Sequence, residues 1–350
     1  MNKKITSKLV IIGVILVAIV ASLAVFYTSG LKATGTSDQT VVISVQSGDT
    51  YYGLLDTLEE EGLIKNKLVA KVYLKLNNIS QLQVNDYELN KGMSLEEIVE
   101  AVSTGDFKYL LKYKMTVPEG LTIKEVATIV AKQIGQTEDA ILNKWDDESY
   151  VRELCEDYWF LNSEEILDDE IYHPLEGYLY PETYTLTMKE PSIDYITRAM
   201  LDMTGAALEN YKDDITDLGW TVHEFLSFAS VVERESLFDK DRPTIAGVFM
   251  NRYKDGMNFQ SDITVLYVLG RTGVKLSFAE IESADSPYNT YLYNGLPVGP
   301  ISNVSKTTIE SCIEYEEHDY YYFFAKEDGT VVYGRTNAEH EANINKYLWY

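Results

Sequence analysis

Nineteen consecutive residues without a charge, Leu9 to Tyr27 (LVIIGVILVAIVASLAVFY), follow Lys3, Lys4 and Lys8 at the start of the 350-residue chain. As an α-helix this run spans about 29 Å at ~1.5 Å per residue, the thickness of a bilayer core. Its apolar residues surround the whole helix, whereas a core helix in a soluble domain keeps a polar stripe. Ser22-Leu23-Ala24 could pass as a small-residue cleavage site. The run is nevertheless longer than the ~7–15 apolar residues of a signal peptide, which favours an uncleaved anchor. The lysines before it predict a cytoplasmic N-terminus. Residues 1–8 then form a cytoplasmic tail, 9–27 a transmembrane anchor, and all that follows is extracytoplasmic. Residues 28–40 (TSGLKATGTSDQT) are small, polar and aperiodic, and read as a flexible linker.

Over the whole chain the composition is 45% hydrophobic, enough for one large core or two smaller ones. Fifty-five Asp and Glu against 30 Lys and Arg give a net charge of −25, with no basic stripe, so a nucleic-acid partner is not expected. Cys155 and Cys312 are too few for a disulfide framework or a four-Cys zinc site, leaving one bridge open in an oxidising compartment. From Val41, VVISV alternates as a strand, SGDT turns, and helical spacing follows over Tyr51–Glu61 and about Lys65–Leu76. The sequence Ser94-Leu95-Glu96-Glu97 is a capping box, and Thr122-Ile123-Lys124-Glu125 repeats it. Each of Thr50, Ser94 and Thr122 stands two residues after a Gly, a recurring strand-turn-helix device. These features describe a small α+β module at 41–108. A larger α+β domain at 109–350 begins with a strand, KYLLKYKMTV, followed by helices to about Trp159 and an acidic, Tyr-rich stretch, DDEIYHPLEGYLYPETYTL. Residues 131–170 read as exposed helices with loops.

The four histidines, His173, His223, His318 and His340, are scattered, and His223-Glu224-Phe225-Leu226-Ser227 has Ser where a zinc-protease helix needs its second His. Nucleophile-elbow, phosphate-loop, dinucleotide and calcium-loop motifs are absent from the sequence, so neither a metal nor a cofactor is expected. What remains is an apolar helix at His223–Ser236 that carries Glu233 and Glu235 on opposite edges of its apolar sector, roughly 160° apart. The two cannot flank one bond as a facing pair. Either one, set against apolar side chains, could have the raised pKa of a general acid. The alternative is that both are surface acids, one paired with Arg234, Lys240 or Arg242, and periodicity does not choose. A second polar concentration runs over Phe259-Gln260-Ser261-Asp262-Ile263-Thr264. The Pro- and Gly-bearing stretch from Ser286-Pro287-Tyr288-Asn289-Thr290-Tyr291 to Ile301 reads as an ordered loop. Amides, hydroxyls and Tyr rings suit a sugar, although turn residues and core tyrosines would look the same.

Six segments, in order, resemble the endolytic murein transglycosylases of the YceG-like family. They are Met115-Thr116-Val117-Pro118-Glu119-Gly120, Leu175 to Tyr184 (LEGYLYPETY), Ala229 to Glu235 (ASVVERE), Val248 to Arg252 (VFMNR), Gln260 to Val265 (QSDITV) and Ser286 to Ile301. The resemblance implies a single-pass membrane enzyme with a LysM-like module at about 41–108 and a catalytic domain that cuts peptidoglycan glycan strands internally, leaving 1,6-anhydro-muramyl ends. It also implies that Glu233, the first Glu of its segment, is the catalytic acid, with Gln260, Asp262, Thr264, Tyr288, Asn289 and Tyr291 as candidates for gripping the strand. By analogy it extends to a partner among the cell-wall synthases. Ile263 and Val298 stand where the family usually has Pro, Val304-Ser305 where it has Pro-Gly, and Asn85 where Gly is common. The segment Tyr320 to Tyr350 resembles the family's final strand pair and helix, with His340 read as structural. Two other readings stay open: a non-catalytic wall-binding scaffold, and a hydrolase in which Asp262 would be the second carboxylate.

Overall fold

The protein's structure is a computed structural model that describes residues 3–272 and 276–348. Helix α1 (Lys3–Gly30) contains the expected anchor, and Val10–Gly30 is long and apolar enough to cross a membrane. Lys3 to Lys8, expected as a tail, already belong to this helix, while Met1 and Asn2 lie outside the described residues.

The chain divides into two units, one comprising residues 1–114 with 185–189 and the other 115–184 with 190–350. The first contains β1 (Thr40–Val45), α2 (Tyr51–Glu60), α3 (Lys67–Leu76), β2 (Asn85–Asn90) and α4 (Leu95–Thr104). Strands β1 and β2 pair antiparallel with Thr40 opposite Asn90 and Val45 opposite Asn85. Ile43, Leu55, Leu58, Tyr87, Leu89, Ile98 and Val102 bury against one another to form its core. Thr50, Asn66 and Ser94 cap the three helices, and Ser94 with Glu97 completes the capping box. The stretch at 28–40 is tied down rather than a free linker. Gly30 lies so close to Val69 that a Cβ there would stand 2.8 Å from its Cγ2, and the Thr34 and Gly35 amides both donate to the Lys91 carbonyl at 3.0 and 2.8 Å. Small residues let the backbone lie against the module, a close approach that composition alone presents as flexibility.

The boundary also differs from the expected cut at 108/109. It falls within β3 (Tyr113–Thr116) and β4 (Thr183–Leu186), which form a two-stranded sheet, so the strand expected over Lys108–Val117 is reduced to four residues. In the first unit, Asn85 accepts from the Thr187 hydroxyl at 2.6 Å, using a side chain that Gly would lack.

Between β3 and β4 lie α5 (Ile123–Ile134), α6 (Glu138–Trp145), α7 (Glu148–Asp157) and α8 (Ser163–Ile166). Their acidic faces are solvated, but Ile141, Trp145, Tyr150, Val151 and Leu154 are buried, so this stretch adds to the core as well as to the surface. After β4 come α9 (Ile193–Leu208), α10 (Lys212–Asp217), α11 (Val222–Glu235), α12 (Arg242–Lys254), α13 (Asp262–Val268), α14 (Phe278–Ser283) and α15 (Lys306–Ile313). The hairpin β5 (Tyr322–Ala325) and β6 (Val331–Gly334) and helix α16 (Asn337–Tyr347) end the described chain. His340 stacks on Tyr322 at 5.3 Å, a packing position. Helix α11 is central to the second unit, with His223 and Phe225 through Glu233 all buried.

Candidate functional site around Glu233

Thr221 caps α11, and Glu224 returns to the Thr221 amide at 2.8 Å, so a local capping box sets where this almost wholly buried helix begins. Near its other end Glu233 is buried, which excludes the surface-acid reading for this residue. Its Oε1 accepts from Arg242 Nη2 at 2.7 Å, and both side chains are withdrawn from water. Its Oε2 accepts from the Ser305 amide at 2.9 Å and the Ser305 hydroxyl at 2.8 Å. Arg242 is one of the three cations expected as partners. Ser305 is the N-cap of α15, and its Oγ also accepts from the Thr308 amide at 3.2 Å and lies 3.1 Å from Thr308 Oγ1.

The turn at Val117–Gly120 forms another side of the site. Asn303 binds it with both ends of its amide: Oδ1 accepts from the Leu121 amide at 2.9 Å and Nδ2 donates to the Pro118 carbonyl at 3.0 Å. Gly120 is left-handed at φ +70°, and a Cβ on it would stand 3.7 Å from Glu233 Cγ. Burial, and then the negative charge of Glu233, pushes the Glu119 carboxyl up from its usual value, opposed by Arg242. Cys312, buried on α15, has its thiol pushed up by burial first and by Glu233 second. Both cysteines are free thiols.

Glu235 faces a different environment. Its Oε1 accepts from Ser261 Oγ at 2.6 Å, and burial, reinforced by the nearby Asp262, pushes its carboxyl up to about 7. The edge-by-edge placement expected from helical periodicity therefore divides the two glutamates between two different sets of partners.

The loop from Ala284 to Ser305 is fastened to α11. The Ser230 hydroxyl accepts from the Ile301 amide at 3.0 Å, His223 Nε2 lies 2.8 Å from the Val298 carbonyl oxygen, and His223 Nδ1 lies 3.0 Å from Tyr178 Oη. With both ring nitrogens engaged, His223 holds the loop in place. Gly177, at φ +81°, sits where a Cβ would come within 2.3 Å of Pro300 Cβ, so only Gly permits this approach.

Helix α11, the start of α15 and the Val117–Gly120 turn thus meet at Glu233, and comparison with known proteins identifies the shared framework. Residues 43–346 match the YceG-like family. A Bacillus subtilis (strain 168) protein named endolytic murein transglycosylase is 34% identical over 312 residues, covering 89% of this chain and 86% of the relative. The chain belongs to the YceG-like family. A protein of the same name from Streptococcus pneumoniae serotype 2 is 32% identical over 91% of this chain, which spans 60% of that longer relative. A crystal structure of a yceG-like protein from Listeria monocytogenes superposes with a TM-score of 0.63 at 34% identity, covering 87% of this chain and 99% of that one.

The remaining sequence-nominated residues of this YceG-like chain lie just before α13, on α13 and in the long loop, and they divide by exposure. Gln260 is exposed in a left-handed conformation at φ 49°, with its amide donating to the Thr290 carbonyl at 3.1 Å. Asp262 and Tyr291 are partly buried, and Tyr291 Oη donates to Asp262 Oδ1 at 2.6 Å. Thr264, Tyr288 and Asn289 are fully buried. Thr264 Oγ1 donates to the Ser261 carbonyl, and Asn289 Nδ2 donates to the Ile281 and Ala284 carbonyls, while Tyr288 packs on the rings of Tyr172 and Tyr267 at 4.8 and 5.0 Å. Their polar atoms and rings hold the loop together.

Sequence reasoning did not assign Glu176, which is buried and accepts from the Ile123 amide at 2.9 Å and the Tyr267 hydroxyl at 3.1 Å. Burial pushes its carboxyl up to about 7 against those hydrogen bonds. It lies in the LEGYLYPETY segment, as Glu119 lies in MTVPEG, so the signal was segment membership rather than residue pattern. Ser305 was visible only as a departure from the family's Pro-Gly.

Proposed function

We propose that this protein is a membrane-anchored lytic transglycosylase that cuts the muramic acid–glucosamine bond within peptidoglycan strands, with Glu233 as its acid and base. The observation that supports this most is the buried Glu233 carboxylate of the shared ASVVERE segment, held by Arg242 and by the Ser305 amide and hydroxyl. In the first half-reaction Glu233 carries a proton and gives it to the glycosidic oxygen as the C1–O bond breaks. In the second, the carboxylate takes the proton of the muramyl C6 hydroxyl as that oxygen bonds to C1, closing the 1,6-anhydro ring and consuming no water. An intramolecular nucleophile held in place gains a large effective molarity, so a second catalytic carboxylate is not required.

The surroundings suit a group that alternates between two protonation states. Arg242 and the Ser305 amide can only donate to Glu233, whereas a hydroxyl both donates and accepts. When Glu233 is protonated, Ser305 Oγ can accept from it and give its own hydrogen to Thr308 Oγ1, 3.1 Å away. Gln260, Asp262 and Tyr291 are the sequence-nominated residues we place against the strand, with Thr264, Tyr288 and Asn289 fixing the loop that carries them. Residues 41–108 are proposed to serve as a LysM-like glycan-binding module, and α1 to hold the catalytic unit outside the cytoplasm, near wall synthases.

Mass spectrometry of glycans released from peptidoglycan by the full-length protein in detergent tests the reaction class. The expected ends are one water lighter than reducing ends. Reducing ends would establish a hydrolase instead, and no cleavage by protein that still binds glycan would favour a scaffold.

A further inference from the structure

A cavity of about 450 Å³ in the second unit is lined by Tyr172, Leu266 and Tyr267 on its apolar side, with Lys124, Glu176 and Arg234 among its polar groups. The tyrosine rings stack at 6.0 Å and 16°, and their hydroxyls are already committed, Tyr267 to Glu176 and Tyr172 to Ser286 Oγ at 2.8 Å. What they present to a ligand is ring surface. The acids are committed as well. Glu176 accepts from the Ile123 amide and Tyr267, and Glu125 closes the Thr122 capping box. His173 is bound to Asp146, and Arg271 is paired with Glu280.

Two cations differ from this pattern. Lys124 and Arg234 have no carboxylate within ion-pair distance among the described residues, and Arg234 gives a single long hydrogen bond, 3.4 Å, to the Gly120 carbonyl. On a chain of net charge −25, with nearly twice as many acids as bases, two unmatched cations beside an apolar surface form a site for an anion with an apolar body. A bare sugar would instead call for free amide and carboxylate acceptors to bind its hydroxyls, and the acids here are occupied. The volume suits a few residues of peptide rather than a length of strand.

We propose that this cavity takes the carboxylate-bearing peptide branch that projects from the muramic acid of the substrate, an inference that rests on the function proposed above. Its position supports this. Gly120 receives the Arg234 hydrogen bond and also stands beside Glu233 Cγ, so the cavity and the acid flank one turn of chain. Since the peptide hangs from the same sugar whose glycosidic bond is cut, seating it sets which bond along the strand faces Glu233.

Titration calorimetry of the full-length protein in detergent tests the inference, using an N-acetylmuramyl tetrapeptide with free carboxylates and the same compound with its carboxylates amidated. The wild type is expected to bind the acidic form at least about tenfold more tightly. Lys124→Gln with Arg234→Gln should bring the ratio near one, and Lys124→Arg with Arg234→Lys should restore it. Equal affinity for the two forms, no binding of either, or a preference that survives the double Gln change would overturn the proposal. These outcomes are independent of cleavage, so an intact binding preference in a protein that cuts no strand would count against the enzyme alone.

Discussion

A carboxylate that must hold and release a proton in one catalytic cycle needs neighbours that satisfy both states, and at Glu233 only a hydroxyl can reverse its role. Ser305→Ala keeps the backbone N–H to Glu233 Oε2 but removes the reversible partner. It should lower kcat by roughly tenfold and change the pH profile, with Ser305→Thr recovering most of the loss. An unchanged profile in steady-state cleavage assays would assign Ser305 to capping α15 alone. Glu235 and Glu176 make a different prediction, about stability. Burial raises each from 4.5 to about 7. Each therefore binds its proton more tightly when folded than when unfolded, and the stability gained by protonation is present below pH ~4.5 and lost as pH rises to ~7, by up to about 3 kcal/mol per group. Glu235→Gln should accordingly raise the urea midpoint of the second unit at pH 8 and leave it little changed at pH 4.5. Trp145, Trp159 and Trp220 all lie in that unit, so tryptophan fluorescence follows the transition.

At the scale of elements, the site is one helix and one loop made to fit each other. The loop has almost no regular structure, yet its path is set by Ser230, His223 and the absence of a side chain at Gly177. Gly177→Ala combines a left-handed backbone with a collision against Pro300 and should cost about 2–4 kcal/mol, seen as an earlier unfolding transition. Such features also mark how far the sequence could be read. The capping boxes at Ser94–Glu97 and Thr122–Glu125 are local, complete within four residues, and stand where their pattern places them. Helix α11 was legible from its apolar period, and so was the separation of Glu233 from Glu235. Contacts across long stretches of chain were not: Ser305 reaches Glu233 over 72 residues, and Asn303 reaches Pro118 over 185. Thr264 and Asn289 look like ligand-binding residues in sequence because hydroxyls and amides that fasten loops are the same groups that bind sugars.

Over the whole molecule, α1 and the acidic remainder imply different surroundings for the two ends of the chain. The order of segments shows where the chain folds, but only contacts show that residues 185–189 return to the first unit and that 28–40 lies against it. If α1 anchors the protein, it should stay with membranes through a carbonate wash. Leu16→Arg with Val17→Arg, each costing about 2.5–3.5 kcal/mol at a helix centre, should release it into the soluble fraction. Retention of that variant would assign membrane attachment to another part of the chain. The ranking of the two glutamates on α11 tests the central claim most directly. Full-length Glu233→Gln and Glu235→Gln proteins, both shown to be folded, would be compared for release of glycan from peptidoglycan. Loss of cleavage in Glu233→Gln with substantial activity in Glu235→Gln is the expected result, and the reverse order would contradict the assignment of Glu233 as acid and base.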